Sequence, residues 1–297
     1  MSRRICLSLV ATLAAIVPAI LTAQEGPREL PRLVSVLGDR EPGEVRFRLS
    51  AAELESVGIP EIPYTKEDRA VADLAEVGVR ILRLGSRVEG EMKSALGRTA
   101  FSSTVEKDGR VRVEHGLPGG RGNLVLLVDL MNRTAEPSYP GDATITAADR
   151  FVFRTLALTL ERQLAGGGGD AEADLLLRAA RLWGDHPLQP VRLDRITAPR
   201  DKSWTNLCGV TSASLAHDST DHGLINERLA TGPGASNCRS RCGAGCNAIL
   251  GTSAWTVDCG EHDRCEQHHS CCVSCQDEFN SASDDYLFAS NCRRAGW

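Results

Sequence analysis

The residues best suited to catalysis lie in one short stretch of the chain, Trp255 to Cys265. Cys259, His262 and Cys265 are spaced three residues apart, so on a helix they lie along one stripe. If both cysteines form disulfide bonds, the backbone is fixed one turn before and one turn after the histidine. A histidine held in this way is suited to act as a general base. Asp263 lies about a quarter-turn away, where it can bind a different ligand beside the same histidine.

A glycine-containing loop precedes this stretch and reads Arg241-Cys-Gly-Ala-Gly-Cys246. Glycines leave the backbone carbonyls of such a loop uncrowded. Carbonyl oxygens and one carboxylate are hard ligands, and this combination suits Ca²⁺. A disulfide bond between Cys242 and Cys259 would bring the loop onto the helix. The two segments together therefore predict a calcium-binding loop beside a fixed histidine.

These segments resemble the secreted phospholipase A2 superfamily, which has a calcium loop of type x-C-G-x-G and a helix of type C-x-x-H-D-x-C. Cys242–Gly245 matches the loop, Cys259–Cys265 matches the helix in full, and the loop-to-histidine distance is close to the family's. The resemblance covers roughly residues 204–292. Two positions depart from the family: Cys246 replaces the loop's usual second adjacent glycine, and Glu266 stands where many members have tyrosine.

The resemblance implies a mechanism and a substrate. His262 would take a proton from a water that attacks an ester carbonyl of a phospholipid at a membrane surface. Asp263 would bind Ca²⁺ together with the backbone carbonyls of Arg241, Gly243 and Gly245, and the cation would polarise the carbonyl and stabilise the oxyanion. The implied fold is a small α-helical domain, in which two antiparallel, disulfide-linked helices form a hairpin beside the calcium loop.

The family also uses a second aspartate, which accepts a hydrogen bond from the other imidazole nitrogen. In a helix hairpin, residues equidistant from the turn face each other. His262 and Asp285 are centred near Val273 and Ser274, so we predict Asp285 for this role, with Asp284 next and Asp277 third.

The placement of cysteines indicates how the chain is divided. Ten of the eleven cysteines lie between Cys208 and Cys292, and the eleventh, Cys6, lies in a segment typical of a cleaved signal peptide. Ten cysteines in an exported chain predict disulfide bonds and a secreted or periplasmic location. We predict a signal peptide at 1–23, an N-terminal domain of unknown function at 24–186, a linker at 187–203 and a phospholipase A2-like disulfide-rich domain at 204–297.

The N-terminal part is predicted to be α/β or α+β, because strand and helix patterns alternate along it. Strands are predicted at 44–49, 79–84, 110–114 and 123–131. Helices are predicted at 50–58, where Ser50 and Glu53 have capping-box spacing, at 65–77, at 147–164 after a cap at Thr146, and at 171–183.

The chain carries a formal net charge of −5, which argues against nucleic acid as a partner and favours a cation. Two other functions remain open. The C-terminal part could be a non-catalytic binding module that keeps the disulfide-rich scaffold. A structural zinc module is the third alternative, with ligands drawn from His262, His268, His269, Cys265, Cys271, Cys272 and Cys275.

Overall fold

A computed structural model gives the architecture of the chain. It describes residues 44–50, 53–54, 57, 74–164, 171–188, 191–199, 207–208, 213–219, 223–229, 240–243, 253–269 and 275–292. These residues belong to one compact unit. The predicted signal peptide lies outside the described residues, as does the predicted calcium ligand Gly245.

The N-terminal part is built on an antiparallel sheet of eight strands, in which each strand pairs with the next along the chain. Antiparallel pairing throughout makes this part α+β rather than α/β. The last strand lies inside the predicted linker and pairs with β7. The strands are Val45–Arg48 (β1), Glu76–Leu84 (β2), Arg87–Ser94 (β3), Gly97–Val105 (β4), Val111–Gly116 (β5), Asn123–Asp129 (β6), Thr134–Ser138 (β7) and Ile196–Thr197 (β8).

Alternating side chains give the sheet one buried face. In β6, Leu124, Leu126 and Val128 are fully buried, while the residues between them are partly exposed. The predicted strand at 79–84 begins earlier, at Glu76, so the predicted helix over 65–77 is wrong at its C-terminal end. Val77 and Val79 alternate into the core, and this strand pattern determines the local structure.

Two helices cover the buried face, Ala147–Leu164 (α1) and Ala171–Asp185 (α2). Both were predicted, and α2 continues two residues further than expected. The predicted cap of α1 is confirmed: the Thr146 hydroxyl accepts a hydrogen bond from the Asp149 backbone N–H, and the Asp149 carboxylate accepts one from the Thr146 N–H. Helix α2 is buried on nearly all sides, because it packs against the sheet on one side and the C-terminal helices on another.

The described C-terminal residues form two helices, Val257–His269 (α3) and Gln276–Phe288 (α4), that pack against each other. A separate two-stranded sheet is formed by Ala213–Ser219 (β9) and Gly223–Leu229 (β10). The predicted disulfide-rich character is confirmed by the bonds among the described residues, Cys208–Cys292, Cys242–Cys259 and Cys265–Cys275. Among the described residues, no helix is both long and apolar enough to cross a bilayer.

The N-terminal and C-terminal parts contact each other through buried polar groups. The Arg178 guanidinium on α2 donates hydrogen bonds to the carbonyls of Tyr286 and Ala289, at 3.1 and 2.8 Å, near the C-terminal end of α4. Unpaired carbonyls at a helix end need such donors, and a cation there also interacts favourably with the helix dipole. Helix α2 therefore fixes the end of α4.

Candidate active site

His262 lies at the centre of α3, between two disulfide bonds. Cys259, one turn before it, is bonded to Cys242, and Cys265, one turn after it, is bonded to Cys275. The predicted fixation of the backbone on both sides of the histidine is therefore confirmed. The imidazole ring is 1% exposed and lies 5.4 Å from the ring of Phe279 on α4, measured between centroids.

The loop that was predicted to bind calcium is held against the start of α3. Arg241 forms an antiparallel bridge with Trp255, and the bridge is flanked by hydrogen bonds from the Cys242 N–H to Ala254 and from the Thr256 N–H to Ser240. The Asp263 carboxylate accepts a hydrogen bond from the Ser240 N–H at 2.8 Å. The loop and the helix are thus joined by a disulfide, by backbone hydrogen bonds and by Asp263 itself.

The groups at this place offer oxygen atoms, the ligand type that a hard cation prefers. In a bridge of this pattern the paired residues direct their own N–H and C=O groups away from each other, so the Arg241 carbonyl points away from Trp255. Gly243 has φ +109°, a conformation that favours glycine. Burial, reinforced by the charge of Asp185, raises the pKa of Asp263 well above its usual range. A cation beside Asp263 would favour the ionised carboxylate, and carbonyl oxygens with a carboxylate suit Ca²⁺.

Helix α2 covers this loop. A Cβ atom on Gly243 would lie 2.6 Å from Cγ of Arg181, so the arginine stem lies directly on the glycine. Arg181 and the buried Arg241 both pair with the carboxylate of Glu161 on α1, at 3.3 and 2.5 Å. The N-terminal part therefore contributes the side chain that packs on Gly243.

The two nitrogens of the His262 imidazole have different surroundings. Nε2 of His262 lies 3.8 Å from Oε1 of Glu266, one turn further along α3. Nδ1 makes no hydrogen bond to any residue that the structure describes. Burial lowers the pKa of His262, although Glu266 and Asp185 act in the opposite direction. The ring is therefore neutral at physiological pH, which is the state that a general base requires.

The three candidates for the second aspartate lie in different surroundings. Carboxylate oxygens of Asp284 and Asp285 lie within 4.8 Å of each other and of Asp258, one turn before His262 on α3, while Asp277 is exposed. The prediction of Asp285 assumed a turn at Val273–Ser274. In the structure Cys265 is bonded to Cys275 across the helix pair, and the Asp285 carboxylate lies near that of Asp258. The role of Asp285 stays a prediction.

Sequence reasoning missed the groups that the N-terminal part brings to the histidine. Arg150 and Arg154 of α1 contact Glu266 at 2.6 and 3.5 Å. Asp185, at the end of α2, accepts hydrogen bonds from the Tyr286 hydroxyl at 2.7 Å and from Arg154 at 2.8 Å. The only signal for the two arginines was their i, i+4 spacing, which most often marks a solvated helix face.

The zinc alternative loses two of its predicted ligands. Cys265, Cys275 and Glu278 offer atoms within 4.8 Å of one another, but the two cysteines are bonded to each other and provide no thiolate. Other residues of that prediction, Cys271 and Cys272, lie outside the described residues.

Comparison of the chain with protein-family models, with curated proteins and with solved structures finds no match.

Proposed function

We propose that the protein is an exported, calcium-dependent hydrolase of phospholipid acyl esters, of the phospholipase A2 type. The observation that carries the proposal is the joining of the loop and α3. The Cys242–Cys259 bond and the hydrogen bond from Ser240 to Asp263 bring a glycine-containing loop next to the His262–Asp263 pair. These are the two segments whose sequence resembles the family.

In this proposal His262 is the general base. Its neutral imidazole takes a proton at Nδ1 from a water molecule, and the water oxygen attacks the ester carbonyl. The proton then passes to the departing alkoxide. Asp263 and the carbonyls of Arg241, Gly243 and Gly245 would hold Ca²⁺, which supplies Lewis-acid stabilisation of the oxyanion when bound.

The substrate class follows from the resemblance and from the charge of the chain. An acidic protein is repelled by anionic lipid surfaces, so we propose vesicles of zwitterionic phosphatidylcholine as the first substrate to test. The three disulfide bonds agree with an oxidising compartment, as the proposed export requires.

A specific observation favours a second function, a non-catalytic module on the same scaffold. His262 is 1% exposed, and the Arg181 stem lies on Gly243. An ester can reach the imidazole only if these side chains move. A module that binds lipid or Ca²⁺ without hydrolysis needs no such movement at His262.

Fatty-acid release from phosphatidylcholine vesicles separates the two functions. The purified full-length chain should release fatty acid in Ca²⁺, lose that activity in EGTA, and lose it again as Asp263→Asn. Asp142→Asn is the matched control, because the Asp142 side chain is fully exposed on a loop of the N-terminal part. If the wild type sediments with vesicles but releases no fatty acid, the non-catalytic module is the correct function.

A further inference from the structure

Glu266 is the carboxylate that faces the imidazole of His262, and it is held there by two arginines of the N-terminal part. We propose that Glu266 is a positioning residue, which orients the His262 imidazole, and that α1 contributes Arg150 and Arg154 to hold it. This inference rests on the proposed function, because Glu266 would orient the imidazole that acts as the general base.

The geometry places the Glu266 carboxylate beside Nε2 of His262. His262 and Glu266 are four residues apart on α3, so their side chains are neighbours on one face of the helix. Oε1 lies 3.8 Å from Nε2, somewhat longer than a hydrogen bond. Such contacts often tighten only when substrate binds. The opposite nitrogen, Nδ1, is buried and makes no hydrogen bond within the described part of the chain, so it can accept a proton once water reaches it.

The arginines keep Glu266 ionised and fixed. Burial alone would raise the pKa of Glu266, but the nearby charges, that of Arg150 first, outweigh it and lower the pKa. Arg150 is itself fixed by a hydrogen bond to the Gly184 carbonyl at 2.9 Å, and Arg154 by Asp185 at 2.8 Å. A charged carboxylate whose partners are anchored in turn has little freedom to turn away from the imidazole.

The chemistry of the pair follows from these placements. An ionised carboxylate only accepts hydrogen bonds, so it favours the tautomer of His262 with the proton on Nε2. Nδ1 then carries the lone pair that takes a proton from water. The same negative charge stabilises the imidazolium that forms, until its Nδ1 proton passes to the leaving alkoxide.

Two other carboxylates near the site have different neighbours. Both oxygens of Asp185 accept hydrogen bonds, Oδ1 from Arg154 and Oδ2 from the Tyr286 hydroxyl. Asp285 lies with Asp284 against Asp258, a turn before the histidine. Within the described part of the chain, Glu266 is the carboxylate that lies within 4 Å of the ring.

The kinetic test uses Glu266→Gln in the full-length chain, because glutamine keeps the size and loses the charge. We expect kcat for phosphatidylcholine hydrolysis to fall about 10–100-fold with KM changed less than about twofold. Glu266→Asp, which keeps the charge, should recover part of that loss. Glu136→Gln on the exposed side of β7 is the control. A Glu266→Gln enzyme with wild-type kcat would overturn the proposal.

A second test is made on the wild type and needs no activity, and a variant serves only to assign the His262 signals. The ¹⁵N shifts of the two imidazole nitrogens report which one carries the proton, and the His262 signals are those absent from the spectrum of His262→Gln. At a pH where the ring is neutral, we expect the proton on Nε2. A proton mainly on Nδ1 overturns the role of Glu266 even in an active enzyme. A wild type that hydrolyses no phospholipid overturns the proposed function instead, and the NMR result still decides the position of the proton.

Discussion

Glu161 offers a direct test of how the two parts of the chain hold each other. Its carboxylate on α1 pairs with Arg241 of the loop at 2.5 Å and with Arg181 of α2 at 3.3 Å. All three side chains are buried, and the Arg241 side chain is fully enclosed. We consider Glu161→Gln, which keeps the shape of the side chain and removes its charge.

The expected loss of unfolding free energy follows from the groups that remain after the substitution. Two buried guanidinium groups lose the charge of Glu161, and removing one partner of a buried pair costs about 3–5 kcal/mol. The glutamine oxygen can still accept one hydrogen bond, so we expect the lower end, about 3 kcal/mol. For a chain of this size, that loss of unfolding free energy lowers the Tm by about 6–12 °C.

Calorimetry of the wild type and the variant, together with urea unfolding, measures this loss. The control is Glu114→Gln, which breaks the exposed pair between Arg112 and Glu114 and should cost less than about 1 kcal/mol. If Glu161→Gln lowers the Tm no more than Glu114→Gln does, the buried cluster does not stabilise the contact between the two parts.

Three further perturbations have defined outcomes. Burial, with Asp277 adding to it, raises the pKa of Glu278 to about 8, so the free energy of unfolding should fall as the pH rises from about 4.5 to 8. Urea midpoints should show Glu278→Gln to be more stable than the wild type by about 1–3 kcal/mol at pH 9 and no more stable at pH 4. Gly243→Ala adds a Cβ against Arg181 at φ +109° and should weaken Ca²⁺ binding more than tenfold in calorimetry. The control is Gly85→Ala, at a turn with φ +61° and open space, which should cost only about 1–2 kcal/mol of stability and leave Ca²⁺ affinity unchanged. Replacing both Cys242 and Cys259 by serine opens a loop with a sequence separation of 17 and should cost about 3 kcal/mol in urea unfolding; an unchanged midpoint would show that the bond does not stabilise the fold.

Local signals in the sequence were sufficient for several elements. The spacing of Cys259, His262 and Cys265 predicted a helix fixed on both sides of the histidine, and the disulfide bonds confirm that fixation. Capping residues located α1, because Thr146 and Asp149 satisfy each other's backbone N–H groups. These features depend on residues within one or two helical turns of each other.

Features that depend on distant residues were not predictable in this way. Strands β3 and β4 were missed because charged and hydroxyl side chains obscure their alternation, although Met92 and Phe101 are buried in them. The contact of Arg150 with Glu266 joins residues 116 positions apart, and nothing in either segment indicates the other. The position of Asp285 near Asp258 depends on how α3 and α4 pair, and ten cysteines of unassigned connectivity do not determine that pairing.

The most direct test of the account is the turnover of His262→Gln at saturating Ca²⁺. Fatty-acid release from phosphatidylcholine vesicles is measured for the purified full-length wild type and for the variant, after calorimetry has established that both are folded. The account predicts release by the wild type and a loss of at least about 10²-fold in the variant, the lower bound for removing a general base. Release by the variant at the wild-type rate would contradict the assignment of His262 as the base.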